Sequence, residues 1–358
     1  MKKIMTCLVA LTLPAFAFAQ TESPAPSPNQ IVEDAAPEDW VAIPAEDLLV
    51  MRLAPDAEGN PREVIIQLMP APFSQGWVHN IKLLAREGWY DGISVNRVQD
   101  NYVVQWGDPN YDNPEADGEV KTLPEGLKVM GEDQYVISVE WNMSLEDQVA
   151  HVYYREPRIS LTGGQPLDLL PVGLKSLSDR FEGYPGMTGF SSGWPIAGTF
   201  NRGHSHEDTK AWPVHCYSMV GVGRNYSPDT GSGAELYTVI GHAPRHLDRN
   251  IALVGRIIEG MEHLSSLPRG NGVLGFYAED KEDKRTPILS IDVAADLLES
   301  DDEPAGLTYA YEYLNTESET FAKYANARAN RRDPFFIHPA GGADICNIPV
   351  PIRPAPNG

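Results

Sequence analysis

Residues 90–108 read Tyr-Asp-Gly-Ile-Ser-Val-Asn-Arg-Val-Gln-Asp-Asn-Tyr-Val-Val-Gln-Trp-Gly-Asp, from Tyr90 to Asp108. Ile93 to Val98 alternates apolar and polar residues with a period of two, and Tyr102 to Gln105 nearly repeats the pattern. Asp100-Asn101 between them is turn chemistry, so the stretch reads as a β-hairpin. Arg97 and Gln105 are the polar residues set on these otherwise strand-like segments. On a sheet such residues usually face water; facing a groove instead, they grip a substrate.

Outward from this hairpin the chain keeps to short elements. Upstream, Ser74 reads as a helix N-cap. Trp77, Val78, Ile81, Leu84 and Ala85 then recur at helical spacing, and Gly88 is a natural stop. Before that, Asp47 to Leu53 and Glu63 to Met69 flank the turn residues Asp56 to Pro61 and form a first hairpin. Downstream, Trp212 to Val222, Glu235 to Ile240, Ile251 to Ile258 and Pro287 to Val293 have strand pattern. Met261 to Leu267 reads as a short helix ended by Pro268. Gln134 to Trp141 and Val149 to Tyr154 are strand-like segments within a region rich in Gly and Pro. The tail carries an amphipathic stretch around Phe321, Tyr324, Ala325 and Arg328 before it becomes Pro-rich.

Three blocks in order carry a family resemblance. They are Glu87-Gly88-Trp89-Tyr90-Asp91-Gly92 with Asn96-Arg97-Val98 and Gln105-Trp106-Gly107-Asp108; Gly231 to Gly241; and Leu247 to Met261. Together they resemble the cyclophilin-type peptidyl-prolyl isomerases. The resemblance implies a mainly β fold: a closed eight-stranded antiparallel barrel capped by two helices. Here it would carry an inserted region and a C-terminal extension. On this reading residues 1–19 are a signal peptide, 20–45 a flexible linker, 46–110 and 213–296 the two parts of the barrel, 111–212 an insertion and 297–358 the extension. A structureless loop as long as 110–212 is improbable inside a compact domain, so the insertion is expected to be ordered and packed on the barrel.

The resemblance assigns roles residue by residue. Arg97 matches the catalytic arginine, and Gln105 the glutamine that helps hold the substrate backbone. Tyr102, Val103, Tyr237 and Leu247 stand at proline-pocket positions. Glu235 stands where the family usually has a substrate-binding glutamine. Asn96, Trp106, His246 and Ile251 depart from the family pattern. The implied substrate is an X-Pro bond in a proline-containing polypeptide. No cofactor and no metal is required, because the chemistry is rotation about an amide. The rival reading is a barrel that binds such segments, or acts as a chaperone module, without catalysis.

The chain opens with Lys2-Lys3, an apolar stretch from Ile4 to Phe18 and Ala17-Phe18-Ala19, the pattern of a secretory signal cleaved after Ala19. That predicts a periplasmic or secreted protein with no membrane span. A formal net charge of −22 over 358 residues disfavours nucleic acid as a partner. Cys216 and Cys346 remain after cleavage; a disulfide and two buried thiols both stay open. Gly189-Phe190-Ser191-Ser192-Gly193 fits a hydrolase nucleophile motif, but Trp194-Pro195 behind it opposes the helix that the motif needs. His204, His206, His215 and Cys216 are zinc-competent residue types, the first two in a polar loop.

Overall fold

The structure is a computed structural model that describes residues 24–110, 118–138, 187–198, 210–301, 304 and 308–356. The strands are β1 (Trp40–Ile43), β2 (Leu48–Leu53), β3 (Arg62–Leu68), β4 (Ser94–Gln99), β5 (Val103–Gly107), β6 (Ile137–Ser138), β7 (Met187–Ser191), β8 (Trp194–Gly198), β9 (Lys210–Pro213), β10 (Met219–Val222), β11 (Leu236–Val239), β12 (Leu253–Glu259), β13 (Thr286–Val293), β14 (Tyr311–Leu314) and β15 (Ile352–Pro354). The helices are α1 (Pro28–Glu33), α2 (Gln75–Arg86), α3 (Met261–Ser265), α4 (Ala294–Leu298) and α5 (Glu319–Ala329). Eight strands close into an antiparallel barrel in the order β10-β11-β5-β4-β13-β2-β3-β12. Two further sheets lie outside it: β1-β14-β15 and β6-β9-β8-β7.

Side chains alternate across a strand, so a strand covered on both faces needs apolar residues at every position. The run Leu48-Leu49-Val50-Met51 in β2 is such a strand. Leu49, Met51 and Leu53 join Val64, Ile66 and Trp106 in the main core. Leu48 and Val50 turn outward and pack with Ile43, Ile65, Ala294, Leu297 and Tyr309. The outer layer therefore comes partly from the segment before the barrel. The residues expected to be a flexible linker contain α1, begun by Pro28 and capped by the Ser27 hydroxyl, and β1, whose Trp40 is buried. β1 pairs with β14 from the C-terminal extension, from Trp40↔Leu314 to Ile43↔Tyr311. Trp40 also stacks under Arg353, whose guanidinium carbon lies 3.8 Å from the ring centroid.

The described parts of the insertion, 118–138, 187–198 and 210–212, do pack on the barrel. Tyr135 stacks on Trp77 at 5.6 Å, and Phe190, Trp194 and Trp212 join the main core. Gly189 to Gly193 lies in the β7–β8 hairpin, with Ser192 and Gly193 in the turn, so the hydrolase motif lacks its following helix. Arg256 of β12 is 4% exposed and clamps this hairpin. Its Nη1 donates to the Gly193 carbonyl (2.8 Å), its Nε to Gln67 Oε1 (2.8 Å), and it lies 4.3 Å from the Trp194 ring centroid. Cys216 and Cys346 form a disulfide that ties the C-terminal extension to the barrel. That removes Cys216 from the zinc reading; His204 and His206 lie outside the described residues.

Other expectations shift locally. Trp212 to Val222 reads as one strand but is two, β9 in the outer sheet and β10 in the barrel, because the chain turns at Tyr217-Ser218. Ser74 precedes α2 yet makes no side-chain cap; it adopts the left-handed conformation at φ 55°. Only Ile137–Ser138 of the Gln134–Trp141 segment is strand among the described residues, after a short 3-10 turn at Glu132–Tyr135. Val149 to Tyr154 lies outside them. The amphipathic stretch around Phe321 is helix α5, capped by the Ser318 hydroxyl, with Phe321, Tyr324 and Ala325 buried.

Candidate active site

Cross-strand register decides which side chains share a surface. In the barrel Arg97 of β4 lies opposite Gln105 of β5. Gln105 lies opposite Tyr237 of β11, and Tyr237 opposite Gly221 of β10. One row therefore runs across four neighbouring strands: Arg97, Gln105, Tyr237, Gly221. The next row places Val103 opposite Val239. Because side chains alternate, Val104, Trp106 and Leu236 point into the barrel core, while Val103, Tyr237 and Val239 form a separate apolar cluster outside it. Tyr102, Leu247 and Ile251 pack against that cluster, and His246 stacks on Tyr102 at 6.1 Å with 10° between the planes. The result is an apolar, aromatic-walled patch with a guanidinium at one end.

That guanidinium is held firmly. Nη1 of Arg97 donates to Gln105 Oε1 (3.1 Å), Nη2 to Gln99 Oε1, and Nε to the Leu274 carbonyl (2.7 Å). Its carbon lies 5.8 Å from the Tyr102 ring centroid and 5.5 Å from that of Phe276, distances at which a cation is drawn to a ring face. Leu274 is a non-glycine residue at φ 55°, and this left-handed turn is part of the segment that brings its carbonyl to Arg97. A single bridge between Arg97 and Phe276 docks the same segment on β4. The buried Asn96 braces the strand pair: Nδ2 donates to the Gly107 carbonyl (3.0 Å), and the Ser94 hydroxyl donates to Oδ1 (2.6 Å).

The sequence-predicted residues fall into two groups. Arg97, Gln105, Tyr102, Val103, Tyr237 and Leu247 come together around the patch. Glu235, two residues before Tyr237, stands apart at the edge of that face, over Gly107. It is 3% exposed, and its Oε1 accepts the Asp108 backbone N–H at 2.7 Å. Gly107 makes room for it; a Cβ there would lie 2.0 Å from the carboxylate. Glu235 thus braces the end of β5. Trp106, a departure from the family pattern, is wholly buried inside the barrel and leaves the groove unobstructed. Tyr90 ties two of the sequence blocks together by donating its hydroxyl to the Gly233 carbonyl (2.7 Å), and burial pushes its pKa well up.

Sequence reading missed Gln99, Leu274 and Phe276, and singled out His215 only as a zinc-competent residue. Leu274 and Phe276 lie in Gly270 to Phe276, a Gly-rich segment whose composition signals a loop but not its target. His215 is 1% exposed and bonded to Tyr237 and Asp248. Among the described residues no group of three or more His, Cys, Asp or Glu is arranged to hold a metal ion.

The profile of the family described as cyclophilin type peptidyl-prolyl cis-trans isomerase matches residues 64–293, more than half of the chain. The chain belongs to this cyclophilin-type isomerase family. Its characteristic activity is cis-trans isomerisation of the peptide bond before proline, and its members bind proline-containing peptides. The fold is similar to that of cyclophilin AquaCyp293 from Hirschia baltica, with a TM-score of 0.56 and 18% identity over 91% of this chain and 96% of that one. A cyclophilin type peptidyl-prolyl cis-trans isomerase from Cryptosporidium parvum, solved in the presence of the dipeptide Ala-Pro, matches at a TM-score of 0.33. Its identity is 10%, over 68% of this chain and 98% of that one. No curated protein sequence matches. As in other cyclophilins the barrel is closed, and here the described parts of the N-terminal segment, the insertion and the C-terminal extension are packed around it.

Proposed function

We propose that the protein is an exported prolyl isomerase in which Arg97 stabilises the twisted amide over a pocket made by Tyr102, Val103, Tyr237 and Leu247. An amide resists rotation by about 18–20 kcal/mol because the nitrogen lone pair is delocalised into the carbonyl. X-Pro bonds populate both isomers and exchange over tens to hundreds of seconds without a catalyst. At the twisted state the lone pair localises on nitrogen, and a guanidinium N–H then finds an acceptor that the planar amide lacks. An interaction made only there lowers the barrier. The apolar patch holds the pyrrolidine ring, and Gln105 both orients Arg97 and presents its amide to the substrate backbone.

The observation that carries this reading is the Arg97–Gln105–Tyr237 row. A cation and an aromatic pocket wall lie two strands apart on one outward face, joined by the residue between them that hydrogen-bonds the cation. Export rests on the amino-terminal pattern of Lys2-Lys3, the apolar stretch and Ala17-Phe18-Ala19. Among the described residues no helix is long and apolar enough to cross a membrane. The net charge of −22 argues against nucleic acid as a partner.

The test is the cis-to-trans rate of a short X-Pro peptide with the wild type, Arg97→Ala and Arg97→Lys. Losing one charge-assisted hydrogen bond of about 1.5–3 kcal/mol predicts a drop of about 10- to 150-fold in kcat for Arg97→Ala. Arg97→Lys recovers little, because an ammonium cannot reproduce the planar fork. Unchanged acceleration by Arg97→Ala would sink the arginine mechanism. A wild type that binds such peptides without accelerating them would establish the binding-module alternative.

A further inference from the structure

Beneath the pocket wall runs a buried polar chain. The Tyr237 hydroxyl lies 2.9 Å from Nε2 of His215, and Nδ1 of His215 lies 2.9 Å from Oδ1 of Asp248. Oδ1 also accepts the His215 backbone N–H (3.0 Å), while Oδ2 accepts from Arg245 Nε (2.7 Å). Tyr237, His215 and Asp248 are 4%, 1% and 6% exposed. The His215 and Tyr237 rings are nearly parallel, 12° apart, with centroids 6.3 Å from one another.

The chemistry of the partners sets the direction of each bond. The Asp248 carboxylate can only accept, so Nδ1 of His215 donates to it; in the tautomer with its proton on Nδ1, Nε2 is an acceptor. The Tyr237 hydroxyl therefore donates downward, away from the pocket. Gly221 makes the route possible: it sits opposite Tyr237 on β10, and a Cβ there would lie 2.3 Å from the Tyr237 oxygen. The hydroxyl passes over that bare backbone to reach His215.

We propose that His215 is a positioning residue for prolyl isomerisation. By holding the Tyr237 hydroxyl over Gly221 and away from solvent, it keeps the pocket wall a purely apolar ring face shaped for an unsubstituted pyrrolidine. The proposal rests on reading this patch as the proline pocket. A buried hydroxyl without a partner costs about 1–3 kcal/mol. With the His215 acceptor removed, the hydroxyl reaches water only by swinging the ring into the pocket. Substrate must then push the ring back, and that cost is charged to binding in the ground and twisted states alike. It therefore raises KM more than it lowers kcat.

The experiment measures kcat and KM for an Ala-Pro tetrapeptide, with dissociation constants from direct peptide titration, for the wild type, His215→Leu, His215→Gln, Tyr237→Phe and Tyr237→Phe/His215→Leu. His215→Leu is expected to raise KM and the dissociation constant about tenfold, with a smaller change in kcat. His215→Gln, which retains an acceptor, falls between His215→Leu and the wild type. In the Tyr237→Phe background there is no hydroxyl to satisfy, so adding His215→Leu brings no further rise; this non-additivity marks a residue acting through another. An unchanged KM in His215→Leu, or an undiminished effect of His215→Leu on Tyr237→Phe, overturns the proposal while leaving the isomerase reading intact. If His215→Leu does not fold, His215→Gln and Tyr237→Phe carry the same comparison. A wild type that neither turns over nor binds the peptide overturns the pocket and the proposal together.

Discussion

The disulfide between Cys216 and Cys346 allows a quantitative test of how the C-terminal extension is held. The perturbation is Cys216→Ala together with Cys346→Ala, which leaves no unpaired hydroxyl at the buried Cys216 site. The two cysteines are 130 residues apart in sequence. Closing a loop of that length in the unfolded chain is worth about 5 kcal/mol on the chain-entropy account, an upper figure because unfolded chains retain structure. Against a net stability of about 5–15 kcal/mol for a folded domain, this is a large fraction. The non-covalent anchors persist in the variant: Trp40 under Arg353 and the β1–β14 pairing. The extension should therefore stay docked in the native state while stability falls by about 2–5 kcal/mol. Guanidinium unfolding followed by tryptophan fluorescence measures this, with Trp194 and Trp212 reporting on the outer sheet and Trp77 and Trp106 on the barrel. Thiol titration of the unfolded wild type checks that the bond is formed. A loss below about 1 kcal/mol with the disulfide demonstrably formed would refute the argument, because the cross-link would then constrain nothing that the unfolded chain lacks.

Three further outcomes follow from the geometry. Gly221→Ala puts a methyl group where the Tyr237 hydroxyl runs, so isomerase activity should fall while the barrel loses only about 1–3 kcal/mol, the usual cost of overpacking; full activity with an unshifted Tyr237 would contradict the contact. Asp248→Asn tests the buried chain by pH. Burial alone would raise the Asp248 carboxyl, but the His215 hydrogen bond and the Arg245 guanidinium prevail and hold it below its ordinary 3.8. Its ionised form thus contributes stability above pH 3.8 that is lost as pH falls through the lower folded value. The stability difference between wild type and Asp248→Asn, from urea unfolding, should be largest near neutral pH and shrink below pH 3.8; a difference independent of pH would count against the pairing. Arg256→Ala removes two hydrogen bonds and the stacking on Trp194, and strands the Gly193 carbonyl. It should cost about 3 kcal/mol or more and increase protease cleavage around the β7–β8 hairpin; resistance equal to wild type would show that the clamp is dispensable.

The barrel was legible because its strands obey local rules. The Ile93–Val98 and Tyr102–Gln105 alternation, with a turn between, is realised as β4 and β5. Arg97, Gln105 and Tyr237 could be picked out because the blocks that hold them resemble a family pattern. What escaped was set by partners far along the chain. Leu48-Leu49-Val50-Met51 looks like any apolar strand, and nothing within it says that β1 and the tail after β13 would supply its outer cover. Trp212 to Val222 keeps one periodicity while its two ends join different sheets, since alternation does not say which sheet a strand pairs with. Glu235 is buried by a partner remote in sequence, the backbone N–H of Asp108. His215 gave only the weak signal of a histidine near a cysteine. Its role depends on Asp248 and Tyr237, each distant in sequence.

The pairing of β1 with β14, and of β14 with β15, has a consequence for biogenesis. A ribosome delivers Trp40 to Ile43 long before it delivers Tyr311 to Leu314, so the earliest strand cannot be zipped until nearly the whole chain has emerged. Throughout that interval β1 is a bare edge able to pair with other chains, and Leu48, Val50 and Ile65 on the outward face of β2 and β3 lack part of their cover. Contacts of such long sequence separation also slow folding. The nascent protein therefore needs shielding for as long as its own synthesis lasts. Any truncation that removes β14 would leave a chain whose barrel strands are complete but whose first strand remains adhesive.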